Sequence, residues 1–271
     1  MIEKHKNIQL VVSDLDRTLL DEREEIVQEA VDLIHSLKER EVGFSLISGR
    51  PISYMEEIAQ RLKVTLPMAA CNGAVIFQEG VVLEEHSFPI NSLRRLAEHA
   101  VAKGATVLYY TLHESFTFTE TPWVISQKET IRKYQVHTPT EDEWDTIHPV
   151  KVSVLVRDVP HVWEELVPLL DEAESRHTIV RYEGRSVEIT LKGRTKEKGL
   201  QRICELAGID IEHAMAIGDE MNDFGMLSHA GVGVAVGNAV QAIKDRADWV
   251  TSSGYTQGVV EALNEFTSKT L

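Results

Sequence analysis

The sequence predicts an α/β fold in which an open parallel sheet carries an inserted α+β module. Three observations point there. At both ends of the chain, short apolar runs alternate with amphipathic stretches, the pattern of a parallel sheet with helical crossovers. In the middle, several runs alternate apolar and polar residues, as in a sheet with one wet face. Finally, two acidic clusters directly follow apolar runs, Asp14-Leu15-Asp16 after residues 8–13 and Asp219-Glu220-Met221-Asn222-Asp223 after residues 214–218. The carboxyl ends of parallel strands are where open α/β sheets place their chemistry.

In chain order, residues 8–13 read as a buried strand, and 24–40 as an amphipathic helix with Ile26, Ala30, Leu33, Ile34 and Leu37 on its apolar face. Residues 42–47 form the next strand, which ends in Ser48-Gly49-Arg50-Pro51. Pro51 suits the first turn of a helix that runs to about Leu62. A short strand over 67–71 leads to a turn at Asn72-Gly73. The inserted stretch carries helices over 92–103, 123–134 and 161–174, with strands over 106–110, 115–119, 150–156, 177–182 and 186–191. The tail returns to the first pattern: helix 198–206, strand 214–217, helix 223–229 and strands 232–236 and 249–250. Residues 1–83 and 193–271 are expected to form one core, and 84–192 the inserted domain. There is no internal repeat or low-complexity tract.

The chain has 271 residues, 43% hydrophobic and 26% charged, the balance of a soluble globular protein. A formal net charge of −15 disfavours nucleic acid and anionic membranes as partners. It leaves room for a small anionic ligand, because a local cation can reverse the field inside one pocket. No apolar run reaches membrane-spanning length, and the first seven residues lack a signal-peptide core, so a cytoplasmic location is expected. Cys71 and Cys204 are far apart and fit two reduced thiols. The eleven histidines show no metal-ligand spacing.

Two carboxylates one residue apart repel unless a cation or proton neutralises them. If the two acidic strand ends converge, they form an oxygen-lined cage suited to Mg²⁺. Asp14 is then placed as a nucleophile toward phosphorus, and Asp16 as the acid and base that serves the leaving oxygen and water. Each element also has a plain structural explanation. Asp residues commonly end strands in turns, Ser48 with Gly49 suits a helix cap, and an acidic run suits a helix start. In Thr195-Lys196-Glu197-Lys198-Gly199 either lysine could pair with Asp14.

Taken together, Asp14-Leu15-Asp16-Arg17-Thr18-Leu19-Leu20, Ser48-Gly49-Arg50, Cys71-Asn72-Gly73-Ala74, the helix-opening lysine and Gly218-Asp219-Glu220-Met221-Asn222-Asp223 resemble the haloacid dehalogenase superfamily. More closely they resemble its Cof-type, subclass IIB phosphatases, and the likeness spans nearly the whole chain. It implies a Rossmann-like core with an inserted α+β cap, Mg²⁺ as cofactor and a small phosphorylated metabolite as substrate. Asp14 would be nucleophile and metal ligand, Asp16 acid and base with its carbonyl on the metal, and Asp219 a metal ligand. Leu15, Ser48, Gly49, Arg50, Asn72, Lys196 and Asn222 would hold the phosphate. Counting from strand 187–189 favours Lys196 over Lys198. Arg17 stands where this group usually carries Gly, and its side chain is expected to reach toward the cap or the far end of the substrate. The implied protein is a monomer or small homo-oligomer. A phosphotransferase or mutase on the same core, or a sensor of phosphorylated metabolites, are the alternatives.

Overall fold

Four consecutive buried residues form β1 (Leu10–Ser13), an interior strand of the core in a computed structural model that describes residues 7–127, 134–182 and 184–267. The sequence predicts a helix from residue 24, but α1 (Gln28–Ser36) starts later and closes in a 3-10 turn to Arg40. The Asp21 carboxylate accepts hydrogen bonds from the Arg23 N–H at 2.8 Å and the Glu25 N–H at 2.9 Å. That turn offers the backbone an alternative to helix. β2 (Gly43–Leu46) follows, then α2 (Ile52–Leu62), for which extended Pro51 is the N-cap rather than a first-turn residue.

β3 (Met68–Ala70) ends in three consecutive left-handed residues, Cys71, Asn72 and Gly73, with φ of 51°, 56° and 87°. Beyond them β4 (Val75–Gln78) and β5 (Val81–Glu85) form a hairpin that the sequence reading does not anticipate. Its turn residues Glu79 and Gly80 both have positive φ, as a two-residue hairpin requires, but Glu is not a residue that signals such a turn.

The next stretch holds α3 (Arg94–Ala102), β6 (Thr106–Tyr110), β7 (Ser115–Thr117), α4 (Pro122–Gln127), β8 (Gln135–Val136), β9 (Lys151–Leu155), α5 (Trp163–Ala173), β10 (His177–Tyr182) and β11 (Ser186–Leu191). Of the helix expected over 123–134, residues 128–133 lie outside the described residues. The described strands form one sheet in the order β10-β11-β9-β6-β7-β8, antiparallel except for β7 beside β8. Alternate residues Val107, Tyr109, Val152, Val154, Val187 and Ile189 share a core with Leu96 of α3 and Leu166 and Leu170 of α5. The alternation in the sequence is thus the apolar face of this sheet meeting two helices.

The chain then runs through α6 (Lys196–Ala207), β12 (Ala214–Gly218), α7 (Phe224–His229), β13 (Val232–Ala235), α8 (Gln241–Lys244), β14 (Trp249–Val250) and α9 (Tyr255–Thr267). α9 has no counterpart in the sequence reading. Its pattern is nonetheless amphipathic: Val259, Val260, Ala262 and Leu263 are buried, while exposed Gln257, Asn264 and Glu265 line the opposite face at helical spacing. The parallel sheet is ordered β14-β13-β12-β1-β2, with Val12 opposite Ala216 on one side and Ser45 on the other. The strand order reverses beside β1, which leaves a crevice at the carboxyl ends of β1 and β12. Residues 1–84 with 195–271 pack as one unit, and 85–194 as another. Among the described residues, no helix is long and apolar enough to cross a membrane.

Helix α6 lies hard against the left-handed turn after β3. A Cβ on Gly199 would sit 2.6 Å from Ile47 Cδ1, and one on Gly73 would sit 2.5 Å from the Thr195 carbonyl. Gly73→Ala is therefore expected to cost about 2–4 kcal/mol, combining left-handed strain with overpacking. Gly208→Ala, at φ +67° with nothing within 4 Å, should cost only about 1 kcal/mol. Urea unfolding of both variants checks this, and equal losses would mean that the close approach of α6 carries no weight.

Candidate active site

Asp14 is the first residue past β1, and its N–H donates to the Ile217 carbonyl of β12 at 2.9 Å. The chain then turns sharply. The Leu15 carbonyl accepts from the Thr18 N–H at 3.3 Å and the Leu20 N–H at 2.8 Å, and Leu15 itself is buried. The turn buries Asp14 and leaves the Asp16 side chain 50% exposed. Arg17 adopts a left-handed φ of 62°. The Thr18 hydroxyl reaches across to β12 and donates to Asp219 Oδ1 at 3.2 Å.

Lys196 opens α6, behind Thr195, whose side chain caps the helix by accepting from the Lys198 N–H at 3.2 Å. A cation at a helix amino terminus meets an unfavourable dipole, and burial adds a second penalty. Both are offset by two carboxylates: Lys196 Nζ donates to Asp14 Oδ1 at 2.6 Å and to Asp223 Oδ1 at 2.6 Å. The Lys196 side chain is 2% exposed. Lys198 lies elsewhere; its ammonium bonds Gln201 Oε1 at 2.9 Å, and the side chain is 54% exposed.

The end of β2 supplies the third wall. Ser48 is buried, with its N–H on the Ala69 carbonyl and its own carbonyl accepting from the Asn72 N–H, both at 2.9 Å. Its hydroxyl oxygen accepts from the Arg50 N–H at 3.1 Å across Gly49. The Arg50 guanidinium grips the Asp16 carboxylate, NH2 to Oδ1 at 2.6 Å and Nε to Oδ2 at 3.0 Å, and pairs with Glu24 at 3.0 Å. Asn72 accepts from Asn222 Nδ2 at 3.3 Å, which links the turn after β3 to the turn after β12.

The sequence-predicted residues Asp14, Lys196 and Asp219 thus come together, with Asn72 beside Asn222 and Arg50 on Asp16. Asp223 joins the centre as a partner of Lys196, where the sequence predicts it only as part of the acidic run expected to form the cation cage. Its Oδ1 holds Lys196, and its Oδ2 accepts from the Asp219 and Glu220 N–H groups at 3.0 Å each. Its place five residues after Gly218, in a run that turns back on itself, is the signal that could have found it. Arg17 turns to the same cluster, with Nε 3.6 Å from Asp219 Oδ2.

One buried ammonium faces three buried carboxylates, Asp14, Asp219 and Asp223, with ligand oxygens within 4.8 Å of one another. Burial pushes Asp14 well above the usual carboxylate range; Lys196 opposes the shift, and Asp223, Asp219 and Asp16 add to it. Burial, followed by Asp223, raises Asp219 to about 7, against the pull of Lys196 and Arg17. Burial alone would lower Lys196, but Asp14 and Asp223 lift it above the ordinary lysine range. Asp219 Oδ2 is buried and accepts no hydrogen bond. Surplus negative charge, hard oxygen donors and an unused buried carboxylate oxygen fit a small divalent cation. Both Asp223 oxygens are already committed, so Asp14 and Asp219 are the carboxylates left to ligate it.

A family model described as haloacid dehalogenase-like hydrolase matches residues 11–263. The chain is 26% identical to the 5-amino-6-(5-phospho-D-ribitylamino)uracil phosphatase YcsE of Bacillus subtilis, covering 96% of each chain. It is also 26% identical to the pyridoxal phosphate phosphatase YbhA of Escherichia coli, over 93% of this chain and 96% of that one. Its fold is similar to that of the subclass IIB sugar phosphatase BT4131, with a TM-score of 0.79, 23% identity and coverage of 95% and 98%. With its sheet order, its acidic strand ends and this full-length match, the chain belongs to the haloacid dehalogenase-like hydrolases, in their Cof-type phosphatase branch.

Proposed function

We propose that the protein is a Mg²⁺-dependent phosphatase that hydrolyses sugar phosphates or similar small phosphate monoesters through an aspartyl-phosphate on Asp14. The observation that carries this reading is the buried Asp14 carboxylate, held by Lys196 beside the unused oxygen of Asp219 at the sheet crevice. Mg²⁺, held by the Asp14 and Asp219 carboxylates and the Asp16 carbonyl, would offset the charge on the phosphoryl oxygens. An Asp14 oxygen attacks phosphorus, and the bond to the leaving alkoxide breaks as Asp16 gives it a proton. Water then attacks the acyl phosphate, yields its proton to Asp16, and inorganic phosphate departs. Lys196 keeps Asp14 oriented and adds positive charge at the phosphoryl group. Leu15 and Gly49 through backbone N–H groups, and Ser48, Asn72 and Asn222 through side chains, hold phosphate oxygens. Arg50 serves the same pocket, and its grip fixes the Asp16 carboxylate.

The phosphorylated ribityl, pyridoxal and sugar compounds named for its relatives support a small monoester as substrate. The unit formed by residues 85–194 acts in this reading as the cap that excludes water and selects the alcohol portion. A cytoplasmic protein accords with buried Cys71 and Cys204, neither of which forms a disulfide; a monomer or small homo-oligomer belongs to the same proposal.

Asp14→Asn should lower phosphate release from a panel of sugar phosphates by at least about 10³-fold. A variant that keeps its activity would remove Asp14 as nucleophile. Asp16→Asn should lose about 10²–10⁴-fold on alkyl phosphates, and much less on p-nitrophenyl phosphate, whose leaving group needs no proton. Equal losses on both esters would count against acid catalysis by Asp16.

Asp219 titrates near 7 in the folded, metal-free protein, and near about 4 when unfolded. The folded state holds that proton more tightly, so the stability it contributes is full below about pH 4 and is lost as pH rises through about 7. Metal-free protein should therefore melt lower at pH 8 than at pH 6. Mg²⁺ should raise the melting temperature more at pH 8, and Asp219→Asn should abolish that difference. An equal Mg²⁺ shift in the wild type at both pH values would contradict a cation on Asp219.

A further inference from the structure

Arg17 occupies a position with a left-handed φ of 62°, strained for a residue with a Cβ and relaxed for glycine. The backbone is fixed there: the Asn238 amide donates to the Arg17 carbonyl at 2.8 Å, and Asn238 Oδ1 accepts from the Tyr255 N–H at 2.6 Å. Strain held in place by its surroundings is a reason to ask what the side chain does. Its guanidinium Nε lies 3.6 Å from Asp219 Oδ2, the buried oxygen that accepts no hydrogen bond. The pairing is loose, too long for a hydrogen bond, and lopsided: the Arg17 side chain is 45% exposed, that of Asp219 only 2%. One partner can leave for water; the other cannot.

We infer that Arg17 is a resident counter-cation that competes with the divalent ion for Asp219 Oδ2 and so sets the metal affinity of the site. The inference rests on the reading of Asp219 as a metal ligand. A Mg²⁺ ion held by that oxygen would share it with a guanidinium only 3.6 Å away, and like charges so close repel. Loading the metal therefore requires Arg17 to swing outward, which its exposed side chain permits. Without metal, Arg17 favours the ionised Asp219 carboxylate against the opposing effect of burial. Arg17 acts through Asp219 and is a positioning residue. The consequence is a site that fills only at a higher free Mg²⁺ concentration than the same carboxylates would otherwise need.

Isothermal titration of Mg²⁺, and separately of Mn²⁺, into the metal-free full-length protein tests this. Arg17→Met removes the charge and keeps the length; Arg17→Gly removes the charge and relaxes the turn, so its folding is not in question. Both should bind metal about three- to fivefold more tightly than wild type, the range of a part-exposed ion pair. Arg17→Lys, which keeps the charge, should stay within about twofold of wild type. The tightening should shrink as ionic strength rises. If Asp219→Asn abolishes binding while Arg17→Met and Arg17→Gly bind as wild type or more weakly, the competition is wrong and the metal site stands. If wild type and Asp219→Asn take up the metal equally, or neither binds it, the metal assignment fails and takes the competition with it.

Discussion

The structure of the site depends on one ammonium shared by two carboxylates. Lys196 is buried, and an unpaired charge in such a place would be costly; its bonds to Asp14 and Asp223 compensate for that. Each partner comes from a different part of the chain: the end of β1, the start of α6 and the turn after β12. The ion pairs therefore tie the two halves of the parallel sheet to the helix packed against it. They also leave a surplus of negative charge, because Asp219 lies in the same cluster. That surplus makes the site a receptor for cations, whether the partner is Arg17 or a metal.

Much of the local backbone serves this arrangement. The amino terminus of α6 can approach the turn after β3 because glycines 73 and 199 leave room where a Cβ would collide. Asp223 folds back to accept from the Asp219 and Glu220 N–H groups, which fixes the turn that carries the Asp219 carboxylate. Left-handed conformations at Arg17, Cys71 and Asn72 cluster around the same crevice. Strain of that kind persists where surrounding contacts over-determine it. On the outer side, Arg50 joins Asp16 to Glu24, so the half-exposed Asp16 carboxylate is held by a fixed partner.

The legible parts of the fold were those with a strong local signature. Apolar β1 and β12 with acidic residues at their ends, and the alternating strands of the inserted unit, stand out because strand burial has a period that sequence displays. The hairpin β4–β5 does not, since its Glu79-Gly80 turn lacks the residues that announce one. α9 is legible too, although the sequence reading omits it: Gln257, Glu261, Asn264 and Glu265 recur at helical spacing opposite its buried residues. Residues 24–27 read as helix because the Asp21 turn that diverts them is a side-chain hydrogen bond.

The sequence by itself determined the parallel sheet, the acidic strand ends and the residue types at the site, because each rests on spacing within a few residues. Only the tertiary structure decided that Lys196 and not Lys198 reaches Asp14, that Asp223 is the second partner of that lysine, and that Arg17 turns to Asp219. These are contacts between residues as many as 202 positions apart in the chain. Their geometry follows from strand order and helix approach, and the balance of charge among buried groups exists only once those elements are packed together.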